Sequence, residues 1–466
     1  MKETVVKNPL GAEPIDSLLK KFAVPSIIAM LVSALYNIVD QFFIGRSVGE
    51  LGNAATNIAF PLSISCIAIA LMFGIGGASA FNLAMGRREK EEAAHYIGNS
   101  IMMIVICGTA LCLITQLFLE PMLRFFGSPD NVLGYAKTYT RITSLGFPFL
   151  ILAAGGGHLI RADGNPRFAM VCNLAGAVVN TVLDAVFVFG FHWGMAGAAA
   201  ATIIGQMLSG LMAIHYLRHC RTVELTKEHL KIKWQYVKRI LSLGAAPCTN
   251  QIAMMVVQIV LNKSLTYYGA LSIYGEAIPL ACAGIIMKVN QVFFSFPIGI
   301  SQGLQPIVSF NYGARKFRRV REAYLKAVLI ATMISTLSFL CFQLIPRQII
   351  GIFGSGSEEY FHFAEQYFRI FLFFTFLNGL QPITANYFTS IGKAAKGIFI
   401  SLTRQIIFLL PLIVVLPMFL GIEGVMYSAP VADLMAALLA LVFVTRELRR
   451  MRGMEEEMNC GAETAD

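Results

Sequence analysis

The chain alternates between long apolar runs and short polar segments. The runs lie at roughly 22–44, 54–85, 94–119, 134–159, 167–191, 195–217, 239–266, 276–310, 323–346, 360–388, 396–420 and 424–445. Crossing the hydrocarbon core takes an α-helix of about 20 apolar residues, so each run is long enough. The pattern predicts an all-α integral membrane fold with twelve transmembrane helices. Spans two and eight exceed one crossing and contain Pro61 and Pro297, so kinks or extension past the bilayer are expected.

Charge changes the picture by giving the spans a direction. Arg87, Arg88 and Lys90 follow span two, and Arg161 and Arg167 lie between four and five. The connection from Arg218 to Arg239 is rich in Lys and Arg. Arg315, Lys316, Arg318, Arg319 and Arg321 follow span eight, Lys393 and Lys396 precede eleven, and Arg446, Arg449, Arg450 and Arg452 follow twelve. If twelve spans alternate, all of these fall on one side. The other side has chiefly Arg46, Arg124, Lys137 and Arg347. The positive-inside bias places the basic side, and both termini, in the cytoplasm of a multi-pass cell-membrane protein.

Composition agrees: 56% of the 466 residues are hydrophobic and only 14% charged, well below the quarter usual in soluble domains. The nine cysteines show no CxxC spacing, which argues against a disulfide framework or a zinc site. No cleavable signal is expected, because the first 21 residues are polar and the first apolar run is too long for one. GGG at 155–157 lacks the strand and the GK[ST] of a phosphate loop, and no HExxH, GxSxG or metal-ligand cluster is evident. The chain is expected to be no enzyme, to need no cofactor and to bind no nucleic acid. Its loops are too short for an ATPase domain, so pumping has to draw on an ion gradient.

The two halves repeat. VPSIIAMLVSALYNIVD aligns with APCTNQIAMMVVQIVLN, setting Asp40 against Asn262. FGIG (73–76) aligns with FPIG (296–299), and GMAGAAAATIIGQ (194–206) with GIEGVMYSAPVAD (421–433). Six spans per repeat is an even number, so the repeats are parallel, two six-helix lobes related by a pseudo-two-fold axis along the membrane normal. The expected division is a cytoplasmic segment 1–21, an N-lobe 22–217, a cytoplasmic linker 218–238, a C-lobe 239–445 and a cytoplasmic tail 446–466.

Candidate chemistry lies where polar residues interrupt the apolar runs. A carboxylate in hydrocarbon costs at least roughly 2.5–3.5 kcal/mol on insertion scales, so it is kept only where it faces a cavity or a partner. Asp40 lies about 27 Å along span one, and Tyr36 and Asn37 are expected on its face. Asn180 and Asp184, one turn apart on span five, lie about 20–26 Å along it, and Thr202 about 10 Å into span six, at a similar depth. Two carboxylates in one confined, low-dielectric site favour holding a proton. In the C-lobe, Lys288, Glu276, Asn262 and Asn378 are candidate cavity residues, and Arg404 and Asp433 are at depths suited to an ion pair. GIGGASA (74–80), AAGGG (153–157) and GMAGAAAA (194–201) serve close helix packing.

YNIVDQFFIG, AMGRREKEEA, RADGNPR (161–167), VVNTVLDAVFVFG and GISQGLQPIVSFNYGAR (299–315) resemble the MATE (multidrug and toxic compound extrusion) transporters of bacteria, over roughly residues 15 to 445. The resemblance implies a V-shaped pair of lobes, alternating access, and efflux of bulky, often cationic, lipophilic compounds in exchange for H+ or Na+. It also implies ion-coupling or substrate roles for Tyr36, Asp40, Asn180, Asp184 and Thr202. Acids that some members carry on helices seven and ten are replaced by Asn262 and Asn378, which favours H+ coupling through the N-lobe, with Na+ second. The protein is expected to act as a monomer in the lipid bilayer on small-molecule drugs. The competing readings are a lipid-linked oligosaccharide flippase of the same superfamily, which should line its cavity with more Arg or Lys, and a major-facilitator-type transporter, which usually carries a GxxxDRxGRR-type loop where this chain has AMGRREKEE.

Overall fold

A computed structural model describes residues 8–126, 128, 130–275, 277–353 and 358–463. These residues are helical nearly throughout and contain no strand. Uninterrupted α-helices form spans one (Ile15–Ser47), two (Glu50–Gly86), three (Lys90–Leu117), six (Gly194–Leu217), seven (Trp234–Ala270), eight (Ala277–Gly313), nine (Phe317–Leu344) and twelve (Ile422–Glu463). Span five is Pro166–Asp184 continued by a π-helical turn, Ala185–Gly190. Span eleven runs from Ala394 to Leu420 with a π-helical stretch at Thr403–Leu409.

The twelve expected crossings differ in continuity. Length and apolarity alone pick out ten helices, or eleven with one bent pair. That pair is span four, Asp130–Leu145 and Phe147–Ala162, bent by 54°. Pro148 has no N–H to give and its ring crowds the carbonyl four residues back, so the helix restarts there. Span ten is broken in the same way. Glu358–Phe371 and Leu380–Ser390 flank turns and a 3-10 helix at Thr375–Leu377, with Pro382 just inside the second piece. The helix of span twelve continues past the apolar run through the charged segment 446–463.

Buried side chains show how the lobes meet. One apolar cluster near the basic connections joins both halves, from Phe22, Phe73 and Ile97 to Leu304, Tyr324 and Val444. At the other end are two separate clusters. One contains Ile44, Leu123 and Val188 of the N-lobe, the other Leu261, Phe293, Phe368 and Ile413 of the C-lobe. A core shared at one end and divided at the other is a V open away from the basic side. Burial near the apex also drives the closest approaches, span two against seven and span one against eight. Only glycine fits at these crossings: a Cβ on Gly299 would lie 2.6 Å from the Cα of Ile27, and one on Gly244 would strike the Met72 carbonyl.

Polar ties reinforce the apex. Gln305 Nε2 donates to Ser79 Oγ at 2.9 Å and to the Ile75 carbonyl at 3.1 Å. Asn311 Nδ2 donates to the Leu10 carbonyl at 2.8 Å, and Lys326 pairs with Asp16 at 2.7 Å. The connection after span six is tied to the N-lobe, because Asp163 accepts from the Tyr216 hydroxyl and from the backbone N–H groups of Arg221 and Thr222.

Candidate functional site

Span five packs on both span one and span six, and Gly205 makes the second contact close enough to be useful. A Cβ on Gly205 would lie 2.9 Å from that of Asn180. Across this contact Asn180 Nδ2 lies 3.5 Å from Thr202 Oγ1, which itself donates to the Ala198 carbonyl at 2.9 Å. One turn further along span five, Asp184 is fully buried and lies beside Asp40 of span one, within electrostatic reach. The π-helical turn begins at the next residue, and such a local widening re-aims the side chains beside it. Tyr36 lies within electrostatic reach of both acids.

The site holds several acceptors that no donor meets. Asp40 Oδ1, both carboxylate oxygens of Asp184 and Asn180 Oδ1 are buried without a hydrogen-bond partner. No lysine or arginine among the described residues approaches either acid. An unpaired buried carboxylate is expensive, so the arrangement is completed chemically by a proton on the pair or by a small cation among the oxygens.

Tyr36, Asp40, Asn180, Asp184 and Thr202 are thus brought together, but Asn37 is not. It is exposed and makes no contact with the acids. Three residues along a helix leave about 60° between side chains, enough to place Asn37 on a different wall from Asp40. Tyr139 belongs to the cluster and is not marked out by the sequence pattern. It lies within electrostatic reach of Asp40, Tyr36 and Asp184. Its segment, GYAKTYTR, is the polar outer piece of the bent span four, where a tyrosine does not stand out.

The C-lobe candidates do not form a matching cluster. Arg404 Nε donates to Asp433 Oδ1 at 2.5 Å, the ion pair expected from their depths, and Asn378 is buried beside Asp433. Arg404 lies on the π-helical stretch of span eleven and over the ring of Phe294. Asn262 is exposed and accepts from Gln258 Nε2 at 2.8 Å. Lys288 is half-buried without an ion pair among the described residues. Glu276 lies outside the described residues.

Folding also assembles a cluster that sequence spacing hid. Candidate ligand atoms of Glu91, His95 and His229 lie within 4.8 Å of one another. His229 comes from the inter-lobe connection, far along the chain from the other two. Its Nδ1 accepts from the Thr226 backbone N–H at 3.1 Å, leaving Nε2–H to donate to Glu91 at 2.9 Å. Lys233 Nζ lies 3.3 Å from His95 Nε2. That tautomer and that ammonium both work against a cation, and the cluster reads as an anchor for the connection.

Comparison with known proteins fits this architecture. The chain is 25% identical over 91% of its length to multidrug export protein MepA of Staphylococcus saprophyticus, of which 92% is covered. It is 25% identical over 92% to the MepA of Staphylococcus haemolyticus, also covering 92% of that protein. Its fold matches the solved structure of a MOP superfamily transporter from Pyrococcus furiosus with a TM-score of 0.88, at 22% identity, covering 95% of this chain and 98% of that one. The MatE family model matches residues 25–186 and 248–415, one stretch in each lobe, and the chain belongs to the MatE family of multi-pass membrane transporters.

Proposed function

We propose that this protein is a secondary active multidrug exporter of the bacterial cytoplasmic membrane. It moves bulky lipophilic compounds, organic cations among them, outward in exchange for H+ by alternating access. The observation that carries the reading is the enclosed Asp40–Asp184 pair, with unsatisfied oxygens and no cationic partner, on helices that wall one lobe of an open V. Protonation removes the cost of the buried charge, and a change in that cost alters how spans one, five and six pack. A proton shifts such an equilibrium only by its differential affinity for the two states. The names of the MepA relatives support the export of drugs. The basic connections support an orientation with both termini in the cytoplasm, so the V faces outward. Na+ is the second candidate, because the same oxygens are suitable ligands for it.

The test is efflux of a fluorescent lipophilic cation from proteoliposomes with pH and Na+ gradients imposed separately. Transport under a pH gradient in Na+-free buffer is expected. Transport driven by Na+ at equal pH, and absent under the pH gradient, overturns the choice of ion.

A further inference from the structure

Where span four reaches the basic side, it buries a charge that the efflux reading leaves unused. Arg161 is 3% exposed, as is His158 one turn before it. The Arg161 side chain has no ion pair or hydrogen bond among the described residues, and its Nε is enclosed without a partner. His158 Nδ1 is enclosed and unpartnered too. The acid next in sequence, Asp163, is already occupied. It accepts from the Tyr216 and Thr222 hydroxyls and from the backbone N–H groups of Arg221 and Thr222.

Neighbouring contacts show what these groups border. Gly155 is backed by Ala70 of span two and Ile104 of span three, and Gly156 by Ala213 and Leu217 of span six. Successive side chains on a helix are about 100° apart, so Gly157, His158 and Arg161 share the remaining arc. Gly157 is buried. Apart from its own helix backbone and adjacent residues, a Cβ on it would meet one atom within 4 Å, Arg161 Nη1 at 3.8 Å. A close-packed interior would surround that position with several atoms. A gap therefore lies beside Gly157, and the guanidinium borders it. His158 is within electrostatic reach of Arg161.

We propose that this gap in the N-lobe binds a small monovalent inorganic anion such as chloride, held by the Arg161 guanidinium with His158 Nδ1–H as a second donor. The site is separate from the Asp40–Asp184 pair and does not rest on the efflux reading. A guanidinium stays protonated inside a protein, so burial without an acid leaves a whole positive charge desolvated. Water can complete its hydrogen bonds but leaves the charge in place. An anion meets both needs, through charge-assisted bonds stronger than those to neutral acceptors. The imidazole, beside a cation in a low-dielectric site, is neutral, so its Nδ1 is free to carry the proton toward the ion. One net positive charge selects a monovalent partner, and the burial of all three residues excludes a lipid headgroup or a drug.

The experiment is binding of radiolabelled chloride to the purified full-length protein in potassium gluconate at constant ionic strength, with the unfolding temperature followed over the same titration. The wild type is expected to bind chloride saturably and to unfold at a higher temperature as the site fills, because a ligand of the native state stabilises it. Arg161→Met removes the charge while keeping much of the side-chain length. It is expected to weaken binding at least about tenfold, the scale of a hydrogen bond to a charged group, and to lose the chloride-dependent rise. Gly157→Ala puts a methyl group into the gap without a clash, so it is expected to fold like the wild type and to bind chloride more weakly. A wild type without saturable binding overturns the proposal, as does an Arg161→Met protein that binds as tightly as the wild type. Unchanged binding in Gly157→Ala also overturns it, and that variant decides alone if Arg161→Met does not fold. Neither readout involves transport, so a failure of the efflux reading leaves the result intact.

Discussion

Asp184 of span five meets Asp40 of span one inside the N-lobe, and neither of its carboxylate oxygens has a hydrogen-bond donor. Both side chains reach the contact only because span five packs on span one while Gly205 lets span six close behind Asn180. The pair is an unpaired acidic site built into the lobe, and its function depends on how that cost is met.

Asp40→Asn keeps the shape of the side chain and removes its ability to carry or lose a proton. The variant is expected to insert and express normally and to export at background level. Normal export by a normally expressed Asp40→Asn protein contradicts the assignment.

Asp184→Asn separates protonation from the rest of the cycle. Distance labels on spans one and seven, across the open end of the V, are expected to respond to pH in the wild type and to stay fixed in this variant. A variant that still responds shifts the trigger to another group.

The Arg404–Asp433 pair has a structural role by the same physical logic. Removing one partner of a buried pair typically costs about 3–5 kcal/mol, whereas replacing both by apolar groups is often neutral. Arg404→Met is therefore expected to lower the unfolding temperature in detergent, and Arg404→Met with Asp433→Leu to recover most of the loss. Transport by the double variant that is lost despite full stability would instead give the pair a part in function.

Gln305 ties the apex, donating from span eight to Ser79 and Ile75 of span two. Losing such bonds costs about 1 kcal/mol each. Gln305→Ala is expected to shift the balance toward a state open on the basic side, seen as faster labelling of a cysteine placed at Leu83. Unchanged labelling means that the apolar crossing alone holds the apex.

The sequence made the fold and most of this cluster legible for one reason: in an apolar background, each polar residue is conspicuous. Asp40, Asn180, Asp184 and Thr202 stood out, and depth along a helix is a length that can be counted. What stayed hidden depended on the third dimension. The bend at Pro148 and the break before Pro382 lie within continuous apolar runs, where composition does not register direction. Tyr139 sits in a polar segment that offers no contrast, and Asn37 differs from Tyr36 by an angle rather than by residue type. Glu91, His95 and His229 meet only because the inter-lobe connection folds back on span three.

Coupling of proton entry to export by the Asp40–Asp184 pair is tested by following both movements together. Proteoliposomes in Na+-free buffer would contain a trapped pH-sensitive dye and a fluorescent substrate of a second colour. Proton uptake is expected to accompany substrate export in the wild type, and Asp40→Asn to abolish both. Export without proton movement, or proton movement that survives Asp40→Asn, contradicts it.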